Sequence, residues 1–349
     1  MKGERMKHTS RHLPAGRFRA EVSRPFVTAL LVVTALTLGT HWPHAQALAP
    51  QPSGPVAITA TPVPLNPSNA GQDRIGRFVY AGGLSLTAPP RFGGLSDIAV
   101  MADGRAVIVT DEGQFYELRI VLDANGRLAS IADARRTPLV GLDGRPLSDK
   151  SVADSEGVAL LPNGDRLVSF ERQHRIWRYP SGGGSPVPAP TPDAAPTFAP
   201  NAGLEALTVL PGGSASGYLA GSEGGRVWQC RLDNGCRETA LGKRLPDDYG
   251  LTAMAASPDG ETVALLARSF SPELGVRIVI RLVGRGAIDS ASAPLLDELM
   301  LGEPLTRDNF EGMAIVNGRQ SGVLRLYLLS DNNFSDTQKT YLLAFDWKK

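Results

Sequence analysis

Cysteine is nearly absent from this chain, with two among 349 residues, Cys230 and Cys236. Histidine is scarcer still in the body of the chain. Four of the five, His8, His12, His41 and His44, fall in the first 47 residues, and only His174 lies beyond them. A multi-His zinc site is therefore excluded. Any Ser-His-Asp catalysis would have to run through His174 alone. No Gly-x-Ser-x-Gly word surrounds Ser155, Ser169 or Ser222, so a serine nucleophile has no support; Ser155 and Ser169 are expected to bond nearby backbone groups.

Charge of one sign is lacking too. The net charge is +1. Removing the seven Lys/Arg and two acids of residues 1–47 from totals of 36 and 35 leaves 29 and 33, a net of −4. No basic face for nucleic acid is implied. The apolar run Phe26–Leu38 is too short to span a bilayer comfortably. With a basic stretch before it and Ala45-Gln46-Ala47 after it, residues 1–47 read as a secretory signal peptide, with an uncleaved anchor as the alternative. There is no twin-arginine pair and no lipobox cysteine near the cut. A periplasmic or secreted protein follows, with no stable membrane span after cleavage. In that oxidising setting Cys230 and Cys236, flanking Asp233-Asn234-Gly235, are expected to close a disulfide across a hairpin tip. The short loop limits its contribution to ~2 kcal/mol. The spacing is not Cys-x-x-Cys, which argues against a redox role.

Long helical periods are missing as well. Aromatics make up 6%, against 38 Gly and 27 Pro, a composition suited to short strands joined by turns. What the chain does have is a repeat. Five segments open at Gly94-Leu95-Ser96-Asp97, Asp154-Ser155-Glu156, Gly203-Leu204-Glu205, Gly250-Leu251-Thr252 and Asn309-Phe310-Glu311. Each runs through apolar residues to a turn, at Asp103-Gly104, Asn163-Gly164, Gly212-Gly213, Asp259-Gly260 and Asn317-Gly318. The openings lie 47 to 60 residues apart, the length of a four-stranded propeller blade. The predicted fold is all-β, a β-propeller of five or six blades. Arg77–Leu86 and Thr340–Trp347 read as N- and C-terminal strands that pair to close the ring. Residues 48–75, rich in Pro, Ala, Ser and Thr, read as a flexible tether, and 76–349 as the folded domain. Pro180–Pro200 reads as a mobile insertion. No dimerisation helix is evident, and a monomer is expected.

A hairpin returns its second strand to the end where the first began. The openings and the second-strand ends therefore share one mouth, which gathers Asp97, Asp111, Glu156, Glu171, Glu205, Glu223, Glu311 and Asp331. Thr252 and Arg268 interrupt the ring in the fourth repeat. Carboxylates so close raise one another's pKa unless compensated. A hard cation such as Ca²⁺, which takes six to eight oxygens, is one remedy, and pairing with Arg172 and Arg268 is another. Asp331-Asn332-Asn333 is the densest local set of oxygen donors, or simply an Asx-rich turn. His174, in the hairpin after Glu171, is expected at the opposite mouth.

The words Asp154-Ser155-Glu156-Gly157-Val158-Ala159, Ser169-Phe170-Glu171-Arg172, Gly203-Leu204-Glu205-Ala206-Leu207 and Asn309-Phe310-Glu311-Gly312-Met313-Ala314 resemble the phytase-like propeller family described as "esterase-like activity of phytase", over about residues 76–349. The resemblance implies a secreted or periplasmic phosphatase or esterase using calcium. It implies a metal site drawn from Glu156, Glu171, Glu205 and Glu311 with neighbours Asp97 and Asp331. Thr252 departs from that pattern. The reading is a hydrolase of a small anionic phosphate or carboxylate ester, with Glu205 as general base and Arg268 and Arg172 facing the anion. The alternatives are a non-catalytic envelope module with structural acids and a lactonase on a calcium propeller.

Overall fold

The computed structural model describes residues 52–212 and 217–349. The expected signal peptide, the start of the tether and Gly213 of the third turn lie outside them. No helix among the described residues is long and apolar enough to cross a membrane.

Five antiparallel sheets form a five-bladed β-propeller. The inner strands are Leu95–Val100, Ser155–Leu160, Ala206–Val209, Gly250–Ala256 and Asn309–Asn317. Each packs against the next around the ring, and the fifth packs against the first. The fifth sheet joins the chain termini. Phe78–Thr87 pairs along Thr340–Lys348, from Phe78 opposite Trp347 to Leu86 opposite Thr340. That pairing closes the ring, as the terminal strands foretold.

The core lies between blades. Five apolar clusters occupy the five junctions of successive blades. Both faces of a blade are therefore buried. In Arg166–Phe170, Leu167 enters the cluster shared with blade 3, while Val168 and Phe170 enter that shared with blade 1. Double burial explains the unbroken runs Ala106-Val107-Ile108-Val109 and Val263-Ala264-Leu265-Leu266-Ala267 in place of alternation.

Two expectations about connections need correction. The stretch expected as a tether is built into the sheets. Gly54–Pro55 pairs with the outer strand of blade 1, Thr59–Pro62 pairs with Phe78–Thr87, and Arg74–Ile75 closes a hairpin on Phe78–Val79. Leu65 is buried in the core between blades 4 and 5. These edge strands are held mainly by backbone bonds, so their sequence needs no apolar period. Within Pro180–Pro200, Val187–Ala189 supplies the fourth strand of blade 2, with Ala189 and Ala195 buried. The disulfide Cys230–Cys236 is formed between directly paired strands.

One acid holds three blades together. Asp97 is buried; its Oδ1 accepts from Ile98 N at 2.8 Å and Met313 N at 3.3 Å, and its Oδ2 accepts from Val158 N at 2.9 Å. These donors belong to blades 1, 5 and 2. Burial raises the Asp97 pKa well above the usual range, outweighing the three N–H groups that lower it. Replacing Asp97 by Ala would strand three buried amides, each costing roughly 1–3 kcal/mol. Asp97→Ala is expected to lose at least about 3 kcal/mol in urea unfolding, and Asp97→Asn, which keeps an acceptor, distinctly less.

Candidate functional site

The cavity at one mouth of the propeller, about 220 Å³, is almost wholly polar. Its innermost ring comes from the start of each inner strand. In blades 1, 2, 4 and 5 the pairing register slips there, between Leu95 and Asp97, opposite Val168/Phe170, between Leu251 and Ala253, and between Phe310 and Gly312. A bulge leaves one residue unpaired and re-aims its side chain. The residues so turned onto the cavity are Ser96, Glu156, Thr252 and Glu311, joined by Glu205 just ahead of the blade 3 strand.

Asp97 is therefore one position out of place as a ring member. Its counterparts are Gly157, Ala206, Ala253 and Gly312, all small. A Cβ on Gly312 would come within 2.9 Å of the Asp97 Cα, so there is no room for side chains here. Asp97 lies away from the cavity and serves the blade junction described above, and the expectation of it as a metal ligand is withdrawn. A one-residue shift along a strand moves a side chain to the other face.

An outer ring comes from the ends of the second strands: Asp111, Glu171, Glu223, Arg268 and Asp331 all line the cavity. Three further lining residues were not singled out from sequence. Lys150 and Asp154 bracket a short helix, Lys150–Ala153, started by Asp149, whose side chain accepts from Ser151 N at 2.8 Å. Asn201 precedes blade 3. His174 was expected at the far mouth. The hairpin between second and third strands turns at the same end as Glu171, and a Cβ on Gly203 would meet both the Glu171 Cγ and the His174 Nδ1 at 2.8 Å. His174 does not line the cavity. Its Nε2 lies 3.2 Å from the Ala199 carbonyl and its ring packs edge-on to Phe198. Ser155 and Ser169 serve backbone groups, Thr110 O at 2.6 Å and Gly157 N at 2.9 Å.

The carboxylates divide by their partners. Asp154 is gripped by Arg172, whose Nε donates at 2.5 Å, and by Lys150 at 3.3 Å; Lys150 also reaches Asp111. Glu311 accepts from Arg268 Nη1 at 2.9 Å and from Asn309. Asp331 accepts from Leu95 N at 3.0 Å and Asn333 N at 2.9 Å. Glu171 accepts from Gly203 N at 3.3 Å.

Titration follows from this crowding. Burial, then the charges of Glu205, Asp154 and Glu311, push the Glu156 pKa well above its usual value. Glu205 is raised in the same way by burial and by Glu171 and Glu311. Burial and Asp154 lift Glu171 to about 7, and burial and Glu311 lift Asp331 to about 6. Burial also raises Asp111, whose Oδ1 is buried without a hydrogen-bond partner among the described residues.

These clustered acids can bind a metal ion. Glu156, Glu205 and Glu311 each offer an oxygen, all within 4.8 Å of one another, and so do Asp154, Glu156 and Glu171. Oxygens around one Ca²⁺ sit 2.3–2.6 Å from it, so donors on opposite sides lie about 5 Å apart. An all-oxygen set suits a hard cation, whose charge would offset the burial and mutual repulsion that raise these pKa values.

Residues 90–334 match the family described as "Phytase-like: Esterase-like activity of phytase". No curated protein sequence matches the chain. Among solved structures it is similar to a protein of unknown function from Bacteroides thetaiotaomicron, at 12% identity and a TM-score of 0.44, covering 83% of this chain and 76% of that one. It is similar to the PQQ-bound aldose sugar dehydrogenase from Streptomyces coelicolor at 14% identity and a TM-score of 0.40, covering 73% and 95%. It is similar also to Kuenenia stuttgartiensis hydrazine synthase at 10% identity and a TM-score of 0.37, covering 71% of this chain but only 59% of that one, less than two thirds of its length.

The raised carboxyls fix a pH dependence. Each binds a proton more tightly in the folded than in the unfolded chain, so the folded state holds more protons above the unfolded pKa. The stability they contribute is fully present below about pH 4. It is lost as pH rises through about 6 for Asp331 and about 7 for Glu171. In chelator, the thermal midpoint is expected to fall on going from about pH 5 to about pH 7.5, and calcium is expected to flatten or reverse the trend. Calorimetric scans across that range test it.

Proposed function

The chain belongs to the phytase-like family described as "esterase-like activity of phytase", and from that premise we propose that it is a calcium-dependent hydrolase of small anionic esters, phosphate esters first. The observation that carries the proposal is the cluster of Glu156, Glu205 and Glu311 at the floor of a polar cavity whose rim holds Lys150, Arg172 and Arg268. An acid-lined floor beneath a cationic rim can take a metal ion below and an anion above.

Glu156, Glu205 and Glu311 would hold the ion, with Glu171 at their side. When bound, calcium supplies Lewis-acid polarisation of the ester oxygen and lowers the pKa of a bound water. Arg268 keeps Glu311 in place and presents its remaining N–H groups to the cavity. Arg172 and Lys150 do the same around Asp154. Both sets offer donors to negative charge that develops in the transition state. The general base suits Glu171 better than Glu205. Glu205 has most of its carboxyl enclosed, whereas Glu171 is half-buried at the mouth with a pKa of about 7, near the operating pH of a base that takes a proton from water. The alcohol leaves as the ester bond breaks and takes its proton from solvent.

A periplasmic or secreted location is part of the same proposal. A disulfide between paired strands suits an oxidising compartment, and residues 1–47 read as a signal peptide.

Calcium at about 100 times its Kd is expected to stabilise the chain by ~2.7 kcal/mol and raise the thermal midpoint by several degrees. Glu205→Gln is expected to abolish both that rise and the turnover of p-nitrophenyl esters, with an unchanged circular dichroism spectrum. A calcium-stabilised protein that turns over no phosphate ester, carboxylate ester or lactone would instead be a binding module.

A further inference from the structure

Blade 4 differs from its neighbours at the mouth. In blades 2 and 3 the hairpin between second and third strands ends level with the inner strand, at Phe170 opposite Ser155 and Gly221 opposite Ala206. In blade 4 the inner strand ends with Gly250 opposite Arg268, yet the hairpin runs on through Ser269–Arg277, Phe270–Val276 and Ser271–Gly275. Three further pairs carry it about 10 Å beyond the rim.

This projection is braced. Arg277 Nη2 donates to Ser269 Oγ at 2.8 Å and its guanidinium lies over the Tyr249 ring at 5.5 Å. Arg307 Nε donates to the Val276 carbonyl at 3.0 Å. At the tip stand Phe270 and Leu274, 71% and 56% exposed, the two most exposed large apolar side chains among the described residues. Alternation along the strand puts Phe270 on the same face as Arg268, about 7 Å further out. Arg268 itself reaches into the cavity to Glu311.

We propose that Phe270 and Leu274 are specificity residues that cover an apolar arm of the substrate whose anionic head meets Arg268. The inference rests on the ester-hydrolase reading and narrows its substrate class. The substrate carries one anionic ester group and one alkyl or aryl arm. A compact polyanion, with charge on every side, gains nothing from this wall. An exposed Phe two residues beyond a cation of the site, on the same face of the strand, gives an amphipathic ester one contact for each of its ends.

The test reads binding, not turnover. The calcium-loaded chain is titrated calorimetrically with methyl, butyl and hexyl phosphate. Affinity is expected to climb along the series, with hexyl phosphate at least about tenfold tighter than methyl phosphate. In Phe270→Ser/Leu274→Ser the hexyl-to-methyl ratio is expected to fall to near one; both side chains are exposed, so the fold tolerates the change. Equal affinities along the series, with methyl phosphate bound, overturn the inference and leave the anionic-ester reading standing. A ratio that survives the double substitution also overturns it. Absence of binding by every member overturns both. Capture of the chain by anionic lipid vesicles, lost in the double variant, together with a flat phosphate series, would assign the tip to a lipid surface and not to the substrate.

Discussion

Everything at the mouth depends on ring closure. The pairing of Phe78–Thr87 with Thr340–Lys348 forces five inner strands into one circle, so whatever opens each strand converges on a single axis. Asp97 shows how tight that circle is, because one carboxyl group reaches amides of three blades. An open array of the same hairpins would let their acids spread into solvent. The closed ring holds Glu156, Glu205 and Glu311 within 4.8 Å of one another.

Closure thus works against charge repulsion, and the chain answers in graded fashion. Asp97 and Asp331 receive backbone amides, and Asp154 and Glu311 receive guanidinium groups. No N–H donor of the described residues is bonded to Glu156, Glu205 or Glu223, and Glu171 has a single amide at 3.3 Å. The acids divide into a paired set that stabilises the blades and a set whose charge is unmet. On the proposed reading structural and ligand-binding roles coexist in one ring, and the unmet set is where a cation would gain most.

How much of this the amino-acid order foretells depends on what each feature needs. Turn residues at fixed distance from an acid need only local chemistry, and they give the blade repeat, the terminal closure and the disulfide hairpin. The ring position in blade 1 turns on a bulge, which the words Leu95-Ser96-Asp97 and Phe310-Glu311-Gly312 do not reveal singly; the small residues Gly157, Ala206, Ala253 and Gly312 aligned against Asp97 are the signal that would have shown the slip. Residues 54–62 pair through backbone at sheet edges and so leave no apolar pattern. Lys150 sits in a connection outside the repeat, and the helix carrying it is too short for any period. His174 was misplaced by a step of topology, since the turn after a second strand returns to the mouth where the first strand began.

Blade 4 breaks the pseudo-symmetry, and that break gives the cavity a direction. Where blades 2, 3 and 5 set an inner acid, it has Thr252, whose hydroxyl donates to the Phe310 carbonyl at 3.1 Å, and where all four other blades, blade 1 included, end the second strand in an acid it has Arg268, so blade 4 alone places no acid in either ring. The negative field of the ring is therefore weakest on that side. An anion drawn toward a cation on the floor would meet least repulsion along blade 4, first beside Phe270 and then beside Arg268. A ring with acids in all five blades would bind a cation at least as well but would repel an anionic substrate from every direction. On the proposed reading, the departure of the fourth repeat from the acidic pattern is what separates a site for an anionic ester from a simple cation trap.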